Sequence, residues 1–359
     1  MRRAISIAAL LTLLLIATIT TISTQIRIEI TITNPNSYDL VDYQVKVDLS
    51  SVLNDPKPLK IVDENGNPVP FCFEQPNGEC GTVPSLVVWI RVPKIPAKGR
   101  IVLYAIVGTN NAATGDKVFI FYDDFETTSY TWSCTGKCSN VYKNNGKLYV
   151  DALDGGWYYC NAYPSGKTFV RPFIVEALMK YSAPDYPESI FVSQDPDNVL
   201  PTSGHNLGPG YRYWPSKNAI SVYNGLAGWS IGDGIDNPYD DFYLVKFVVG
   251  VNGKLHGEVV GYNDVDASND EYSRPFYLLF IDCGNDYQPL VIEWVRVRSY
   301  ADQEPSIVLE LVKEGSGGGE MGGWAESMYG SIALLVALAL FITMTMLLTR
   351  EVRNLVATL

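Results

Sequence analysis

Three acidic residues stand among aromatic residues in the segment FIFYDDFETTSYTW, residues 119–132: Asp123, Asp124 and Glu126. Two carboxylates at a fixed separation can serve as the acid and the nucleophile of a glycoside hydrolase. Carboxylate oxygens are also the ligands that Ca²⁺ prefers in proteins. The alternative to both is a structural role. The segment lies near the middle of the chain, so it can end one domain and begin the next.

Aromatic side chains form a second group of candidates. The segment GYRYWPSKNAISVYNGLAGW, residues 210–229, reads as loop-rich and carries most of them. Rings with a polar tip suit a wet binding surface, so these residues can form a platform for sugars. The alternative is that the rings pack in a core. The candidate glycan platform comprises Trp157, Tyr159, Tyr211, Tyr213, Trp214, Tyr223 and Trp229.

The six cysteines all lie in the part of the chain that we predict to be extracytoplasmic. An even number of cysteines in that location indicates disulfides. The motif CTGKC is not the redox motif C-x-x-C, so structural bonds are expected. Other connectivities stay open, but spacing favours Cys72–Cys80, Cys134–Cys138 and, by remainder, Cys160–Cys283.

The charge of the chain argues against a nucleic-acid partner. The net charge is −12, whereas binding to a phosphate backbone needs a basic patch. The sequence also lacks a P-loop and a G-x-G-x-x-G fingerprint. The two histidines, His205 and His256, are far apart in sequence, which disfavours a histidine-based triad or zinc site.

Apolar segments near both ends predict contact with a membrane. Residues 1–23 carry two arginines followed by a long apolar run, which predicts a secretory signal peptide or an uncleaved N-terminal anchor. Residues 328–349 are long and apolar enough for a transmembrane helix. Arginines follow this helix and glutamates precede it. The positive-inside rule therefore places residues 350–359 in the cytoplasm and residues 24–327 outside the cell membrane.

Between these segments the pattern is that of β-strands. Residues 25–33, QIRIEITIT, alternate strictly between isoleucine and polar residues, as a half-buried strand does. Similar runs separated by turn residues predict an all-β fold of two antiparallel β-sandwich domains, at 24–112 and 113–312. The glycine-rich stretch at 313–327 predicts a flexible linker.

Several segments resemble a prokaryotic surface-protein family known as domain of unknown function 2341. The run VVWIRVPKIPAKGRIVLYAIVG at 87–108 resembles its tryptophan strand, proline turn and tyrosine strand, and FCFE at 71–74 resembles its aromatic strand. YDDFE at 122–126 and EWVRVRSYADQEP at 293–305 resemble the first and last strands of the concanavalin-like jelly roll that often follows. The resemblance spans about residues 25–312.

The resemblance implies an exported, surface-located protein and no particular reaction. Two departures are visible. Ala105, Ile106 and Val107 stand where the family usually has paired aromatic residues, and Glu293 stands where the closing motif usually begins with aspartate. The E-x-D-x-x-E strand motif of concanavalin-like glycosidases does not occur, so we do not expect an enzyme.

The first and last strands of concanavalin-like sandwiches are commonly neighbours, which bears on the acidic residues. Strand alternation places Asp123 on a face with phenylalanines and Glu293 on a face with valines. By this analogy Asp123, Asp124 and Glu293 are candidate ligands of a structural calcium ion. Arg171 is an alternative partner, and a solvated strand end is the third alternative.

These observations predict a membrane-anchored protein of the cell surface. The expected role is binding or adhesion, with glycan recognition by the second domain as its sharper form. The alternative is a structural subunit of a cell-surface layer or filament, in which strand edges join neighbouring copies. The third hypothesis is a carbohydrate-active enzyme. The expected partners are the membrane and glycans or other surface proteins.

Overall fold

The computed structural model describes residues 26–153, 158–180, 188–193, 210–214, 219–223, 229–231, 241–268, 275–284 and 289–312. The chain divides into a unit formed by Arg27–Leu311 and a unit formed by its ends, Met1–Ile26 and Val312–Leu359. The predicted segments 1–23, 313–327, 328–349 and 350–359 lie outside the described residues. Within the described part, no helix has the length and apolar character needed to cross a membrane.

The strands of the first sandwich are β1 (Arg27–Thr33), β2 (Leu40–Asp48), β3 (Leu59–Asp63), β4 (Phe71–Glu74), β5 (Cys80–Gly81), β6 (Val87–Ile95), β7 (Arg100–Val107) and, from the end of the chain, β23 (Ser306–Val312). They form two four-stranded antiparallel sheets, with the orders β23-β1-β7-β3 and β2-β6-β4-β5. The predicted alternation of the first strand is confirmed, because Ile28, Ile30 and Ile32 are fully buried in the core between the sheets.

A short helix, α1 (Gly115–Val118), leads into the second sandwich. The strands of this sandwich are β8 (Phe121–Asp123), β9 (Trp132–Gly136), β10 (Cys138–Asn144), β11 (Lys147–Ala152), β12 (Tyr158–Pro164), β13 (Phe173–Lys180), β14 (Glu188–Ser193), β15 (Gly210–Trp214), β16 (Ala219–Tyr223), β17 (Trp229–Ile231), β18 (Tyr243–Val249), β19 (Lys254–Val259), β20 (Asn263–Ser268), β21 (Tyr277–Gly284) and β22 (Leu290–Ser299).

These strands form two antiparallel sheets around a second core. One sheet has the order β10-β11-β22-β13-β18-β19-β20, with β8 also pairing with β22, and the other has the order β17-β16-β15-β14-β21-β12-β9. Residues such as Val175 and Val295 from the first sheet and Leu278 and Phe280 from the second fill the space between them. The predicted all-β class of antiparallel sandwiches is therefore confirmed.

The last strand does not follow the predicted boundary at residue 312. The sequence assigned residues 113–312 to the second sandwich, but β23 lies beside β1 in the first sandwich. The chain leaves the first sandwich after β7, builds the second, and returns. Nothing local in the sequence signals this return, because β23 has an ordinary strand pattern that either sandwich can bury.

The disulfide pattern is confirmed at one pair and corrected at the others. Cys72 and Cys80 are bonded across their turn, with a Cα–Cα distance of 5.5 Å. Cys138 is bonded to Cys160 rather than to Cys134, which is exposed and free. The reason is topological, since β9 and β10 are consecutive but belong to opposite sheets, so the Cys138–Cys160 bond ties the sheets together. The predicted Cys160–Cys283 pair is therefore wrong as well.

Candidate functional site

The acidic segment that opens the second sandwich forms a closed loop rather than an open carboxylate pair. The Asp123 side chain is fully buried and accepts hydrogen bonds from the backbone of Phe125 at 2.8 Å and from the indole of Trp132 at 2.7 Å. The Thr128 hydroxyl also donates to it. The ammonium group of Lys143 lies 3.0 Å away and neutralises its charge.

Asp124 caps the same loop. Its carboxylate accepts hydrogen bonds from the backbone of Glu126, Thr127 and Thr128 at 2.8–3.2 Å. Partial burial raises the pKa of Asp124, but the hydrogen bonds from the Thr127 hydroxyl and from these backbone groups outweigh burial, so the net effect is a pKa below the ordinary value. The two aspartates therefore hold the chain in the turn that follows β8.

Glu293 lies on β22 at a β-bulge and is partly buried. A β-bulge in β22 shifts the register between Leu178 and Met179 of the neighbouring strand, so that Ile292 and Val295 both face the core and Glu293 does not. The predicted shared face of Glu293 and Val295 is therefore wrong. The predicted pairing of the first and last strands is observed, with Asp123 opposite Val295.

The two sets of carboxylates have separate cations. Glu293 binds Lys147 at 2.6 Å, and Asp123 binds Lys143. Among the described residues, no group of three or more histidine, cysteine, aspartate or glutamate side chains is placed to hold a metal ion. The structure does not assemble the predicted calcium ligands Asp123, Asp124 and Glu293 into a site.

The aromatic platform is only partly within the described residues. Tyr159 is buried, with 4% of its surface exposed, which disagrees with a place on an open platform. Trp157 and the side chains of Tyr211, Tyr213, Trp214, Tyr223 and Trp229 lie outside the described part. The backbone places the last five on three adjacent strands at one end of a sheet, with Tyr223 opposite Trp229.

The sandwiches meet through a buried ionic network that the sequence did not predict. Glu176 on β13 lies directly opposite Arg296 on β22, and their side chains are 2.5 Å apart. The second oxygen of Glu176 binds Arg298 at 3.1 Å. All three side chains are at most 8% exposed, so each charge depends on the others for compensation.

The network continues into the first sandwich from both arginines. Arg296 lies 3.7 Å from Glu74 and 4.5 Å from the centre of the Trp89 ring. Arg298 donates to Glu304 at 2.9 Å, and the hydroxyl of Tyr43 donates to the other oxygen of Glu304. Residues of β2, β4 and β6 are thus joined to β13 and β22 through charged groups.

The network alters the acid–base properties of its members. Burial alone would raise the pKa of Glu176, but Arg296 and Arg298 outweigh it and lower the pKa to about 2. Burial would lower the pKa of Arg298, yet Glu176 and Glu304 hold it above the ordinary value. Burial and the negative charge of Glu304 raise the pKa of Tyr43. Glu176 is therefore ionised at neutral pH and unsuited to act as a general acid.

Direct packing reinforces the junction. The indole of Trp294 donates a hydrogen bond to the backbone carbonyl of Asn77 at 2.8 Å and covers Gly78. The backbone N–H of Cys80 donates to the hydroxyl of Tyr122 at 2.9 Å. The two sandwiches therefore share one continuous set of buried contacts.

Two adjoining cavities, here called the junction groove, open beside this network. The larger, of about 350 Å³, is lined by Val45, Lys46, Trp89, Glu176, Leu244, Lys246, Glu258, Val260, Arg296, Arg298, Glu304, Pro305 and Ile307. The smaller, of about 230 Å³, is lined by Ile174, Lys246, Val248, Lys254, His256, Tyr300, Ala301, Asp302 and Glu304. Lys246 and Glu304 belong to both, so the groove is longer than either cavity alone.

The groove combines apolar surface with fixed polar groups. Leu244 and Val260 supply apolar area, while Lys246 is held by Glu258 at 3.0 Å. In the smaller cavity, burial and a hydrogen bond to Asp302 raise the pKa of Tyr300 to about 12, so its hydroxyl stays neutral at physiological pH. The groove therefore offers hydrogen-bond donors and acceptors to a ligand at physiological pH, and none of these groups has to gain or lose a proton first.

One signal in the sequence pointed to the junction. Alternation along β22 places Trp294, Arg296 and Arg298 on one face, opposite Val295 and Val297, and all three are buried. A face of this composition is usually solvated, so burial against another domain was not inferred. The partner residues come from β2, β4 and β13, which are distant in sequence.

The fold and the junction define a protein of two antiparallel β-sandwiches that share a buried charged interface. The family model described as Domain of unknown function (DUF2341) matches residues 55–135, which run from the first sandwich into the second. The family resemblance predicted from the sequence is confirmed by this match, which covers less than half of the chain. No curated protein matches the chain.

Several solved structures match about half of the chain. The VIP36 exoplasmic/lumenal domain in its Ca²⁺/Man3GlcNAc-bound form is 11% identical, covers 49% of this chain and 91% of its own, and has a TM-score of 0.37. The endo-beta-1,3-glucanase from Pyrococcus furiosus is 16% identical, with coverage of 52% and 95% and a TM-score of 0.38. A prokaryotic lichenase from a mouse hindgut metagenome is 17% identical, with coverage of 50% and 98% and a TM-score of 0.38.

Proposed function

We propose that the chain is a membrane-anchored surface protein whose two-sandwich head binds glycans in the junction groove. The observation that carries the proposal is the groove itself, since it is concave and contains both apolar and charged side chains. Binding sites for small ligands are likewise concave and combine apolar walls with polar groups that fix orientation.

The chemistry of the groove suits a sugar ligand. A pyranose ring presents apolar C–H faces and a rim of hydroxyl groups. The apolar side chains of Leu244 and Val260 match the faces, and the ion pair of Lys246 and Glu258 supplies one donor and one acceptor for hydroxyls. Because each charge already has a partner, a neutral hydroxyl can join the pair without leaving a charge unpaired.

The disulfides support an extracytoplasmic location. Cys72–Cys80 lies in the first sandwich and Cys138–Cys160 in the second. Such bonds form and persist in oxidising compartments. The apolar segments at 1–23 and 328–349 supply the proposed export signal and membrane anchor. The aromatic strands β15, β16 and β17 are a second proposed contact surface for a long glycan.

A binding assay on the full chain in detergent micelles tests the proposal. A glycan array identifies a ligand, and calorimetry measures its affinity for wild type and for the groove variants Lys246→Ala and Val260→Asp. We expect each variant to weaken binding by about tenfold, which corresponds to about 1.4 kcal/mol.

Lys57→Ala is the matched control, because Lys57 is an exposed lysine in a surface ion pair outside the groove. We expect it to bind as wild type does. Absence of saturable binding to any glycan would overturn glycan recognition. Normal affinity in both groove variants would remove the groove as its site.

A further inference from the structure

The last described strand, β23, lies at the end of its sheet with one edge unpaired by any described residue. It is seven residues long, with the sequence SIVLELV. Val308 and Leu311 are 54% and 52% exposed, although both are large and apolar. Glu310 is the one charged residue in the strand. Long apolar edge strands readily pair with another strand.

The other outermost strands of the four described sheets are protected. β3 has five residues, β5 has two and β17 has three. β20 carries Asp264 and Asp266, and like-charged residues discourage pairing. β10 is tied to β12 of the opposite sheet by the Cys138–Cys160 disulfide, and β9 has five residues.

The remaining outermost strand, β2, contacts the end of β22, since the backbone N–H of Ser299 donates to the side chain of Gln44 at 2.8 Å. It also carries three charged residues, Asp42, Lys46 and Asp48. Among the outermost strands whose side chains are described, β23 alone has two large apolar residues that are more than half exposed.

We propose that β23 pairs with β23 of a second copy of this chain in an antiparallel arrangement. The position of Glu310 selects this arrangement. Parallel pairing in register would place Glu310 opposite its own equivalent, and like charges directly opposite each other are destabilising. Antiparallel pairing centred on Leu309 places each Glu310 opposite Val308 of the other copy.

The proposed contact is symmetric, so it closes on itself. An antiparallel pair of identical strands has two-fold symmetry, and such an interface produces a dimer rather than an open filament. The first sandwiches of two copies then share one continuous sheet. This inference does not depend on glycan binding, because β23 pairs through its backbone edge.

Cysteine cross-linking tests the register in the full chain, in a Cys134→Ser background and in detergent micelles. Val308→Cys protein and Glu310→Cys protein carry different affinity tags and are mixed under mild oxidation. Directly opposed residues in an antiparallel pair have Cα atoms about 4.5–5.5 Å apart, within the range that a disulfide accepts. We expect the mixed dimer to exceed the Val308→Cys homodimer several-fold.

Val170→Cys is the matched control, since Val170 is an exposed valine outside the edge and is 70% exposed. It should give only background cross-linking. Sedimentation should show that Val308→Asp weakens self-association by about tenfold or more, while Val170→Asp leaves it unchanged.

Two results would overturn the inference. One is a monomeric wild type with cross-linking no greater than in the Val170→Cys control. The other is a dimer that Val308→Asp leaves intact. Circular dichroism of each variant confirms folding, and the cross-linking result does not depend on the aspartate substitution.

Discussion

The indole of Trp294 in the second sandwich lies directly against Gly78 in the first, so that a Cβ atom added to Gly78 would fall 2.6 Å from the ring. Gly78 also has a φ of +87°, a conformation that other residues adopt only with strain. We therefore expect Gly78→Ala to destabilise the protein in two ways, through backbone strain and through overpacking against a buried ring.

Gly66 provides the control for this substitution. It has a φ of +83° and nothing within 4 Å of an added Cβ, so Gly66→Ala carries the backbone strain alone. Denaturant unfolding should show a loss of about 1 kcal/mol for Gly66→Ala and about 1–3 kcal/mol more for Gly78→Ala. Equal losses of stability in the two variants would mean that the indole of Trp294 can move aside without cost and that the junction is not closely packed.

The buried carboxylate of Glu176 predicts a second, larger effect. Glu176→Gln removes the charge that compensates Arg296 and Arg298. Removing one partner of a buried ion pair leaves an uncompensated charge and costs about 3–5 kcal/mol. Thermal and denaturant unfolding of the full chain measure this loss.

An exposed ion pair gives the comparison. Asp55 lies 3.9 Å from Lys57 and is 74% exposed, so Asp55→Asn should change stability by less than about 0.5 kcal/mol. If Glu176→Gln changed stability as little as Asp55→Asn, Arg296 and Arg298 would be compensated by water or by other acceptors. The network would then not hold the sandwiches together.

The same carboxylate predicts how stability depends on pH. The folded pKa of Glu176 is about 2, below its value of about 4.3 in an unfolded chain. The folded state therefore favours the charged form, and this contribution is fully present above about pH 4.5. It is lost as the pH falls towards 2, and its size is on the order of 3 kcal/mol.

Unfolding measured between pH 2 and pH 7 tests this dependence. Wild type should lose stability more steeply below pH 4.5 than Glu176→Gln does, because the variant has no carboxyl to protonate at this position. Parallel curves for the two proteins would show that other carboxylates account for the acid sensitivity.

Local pattern was sufficient to predict much of the fold. The alternating isoleucines of β1 bury one face whatever the partner strand is, so Ile28, Ile30 and Ile32 were placed correctly. The short separation of Cys72 and Cys80 across a turn likewise left little choice of partner. In these cases the physical cause lies within a few residues of the effect.

The features that were missed depend on contacts between distant segments. The bulge at Glu293 reverses the alternation of β22, and no residue type marks it in the sequence. Arg296 and Arg298 are compatible with a solvated face until Glu176 and the first sandwich are placed against them. The candidate aspartates were noticed for their charge, but the threonines and the lysine that bind them decide their role.

The Cys138–Cys160 bond gives the last prediction. It closes a separation of 22 residues and joins opposite sheets. The chain-entropy model gives about 3 kcal/mol for a loop of this size, so the double variant Cys138→Ser with Cys160→Ser should lose about that much stability under oxidising conditions. Cys134→Ser is the control, because Cys134 is exposed and free, and it should unfold as wild type does.

Peptide mapping without reduction should recover Cys138 linked to Cys160. Recovery of Cys134 linked to Cys138 instead would show that β9 and β10 are joined by a local bond, and the sheets would then lack this connection.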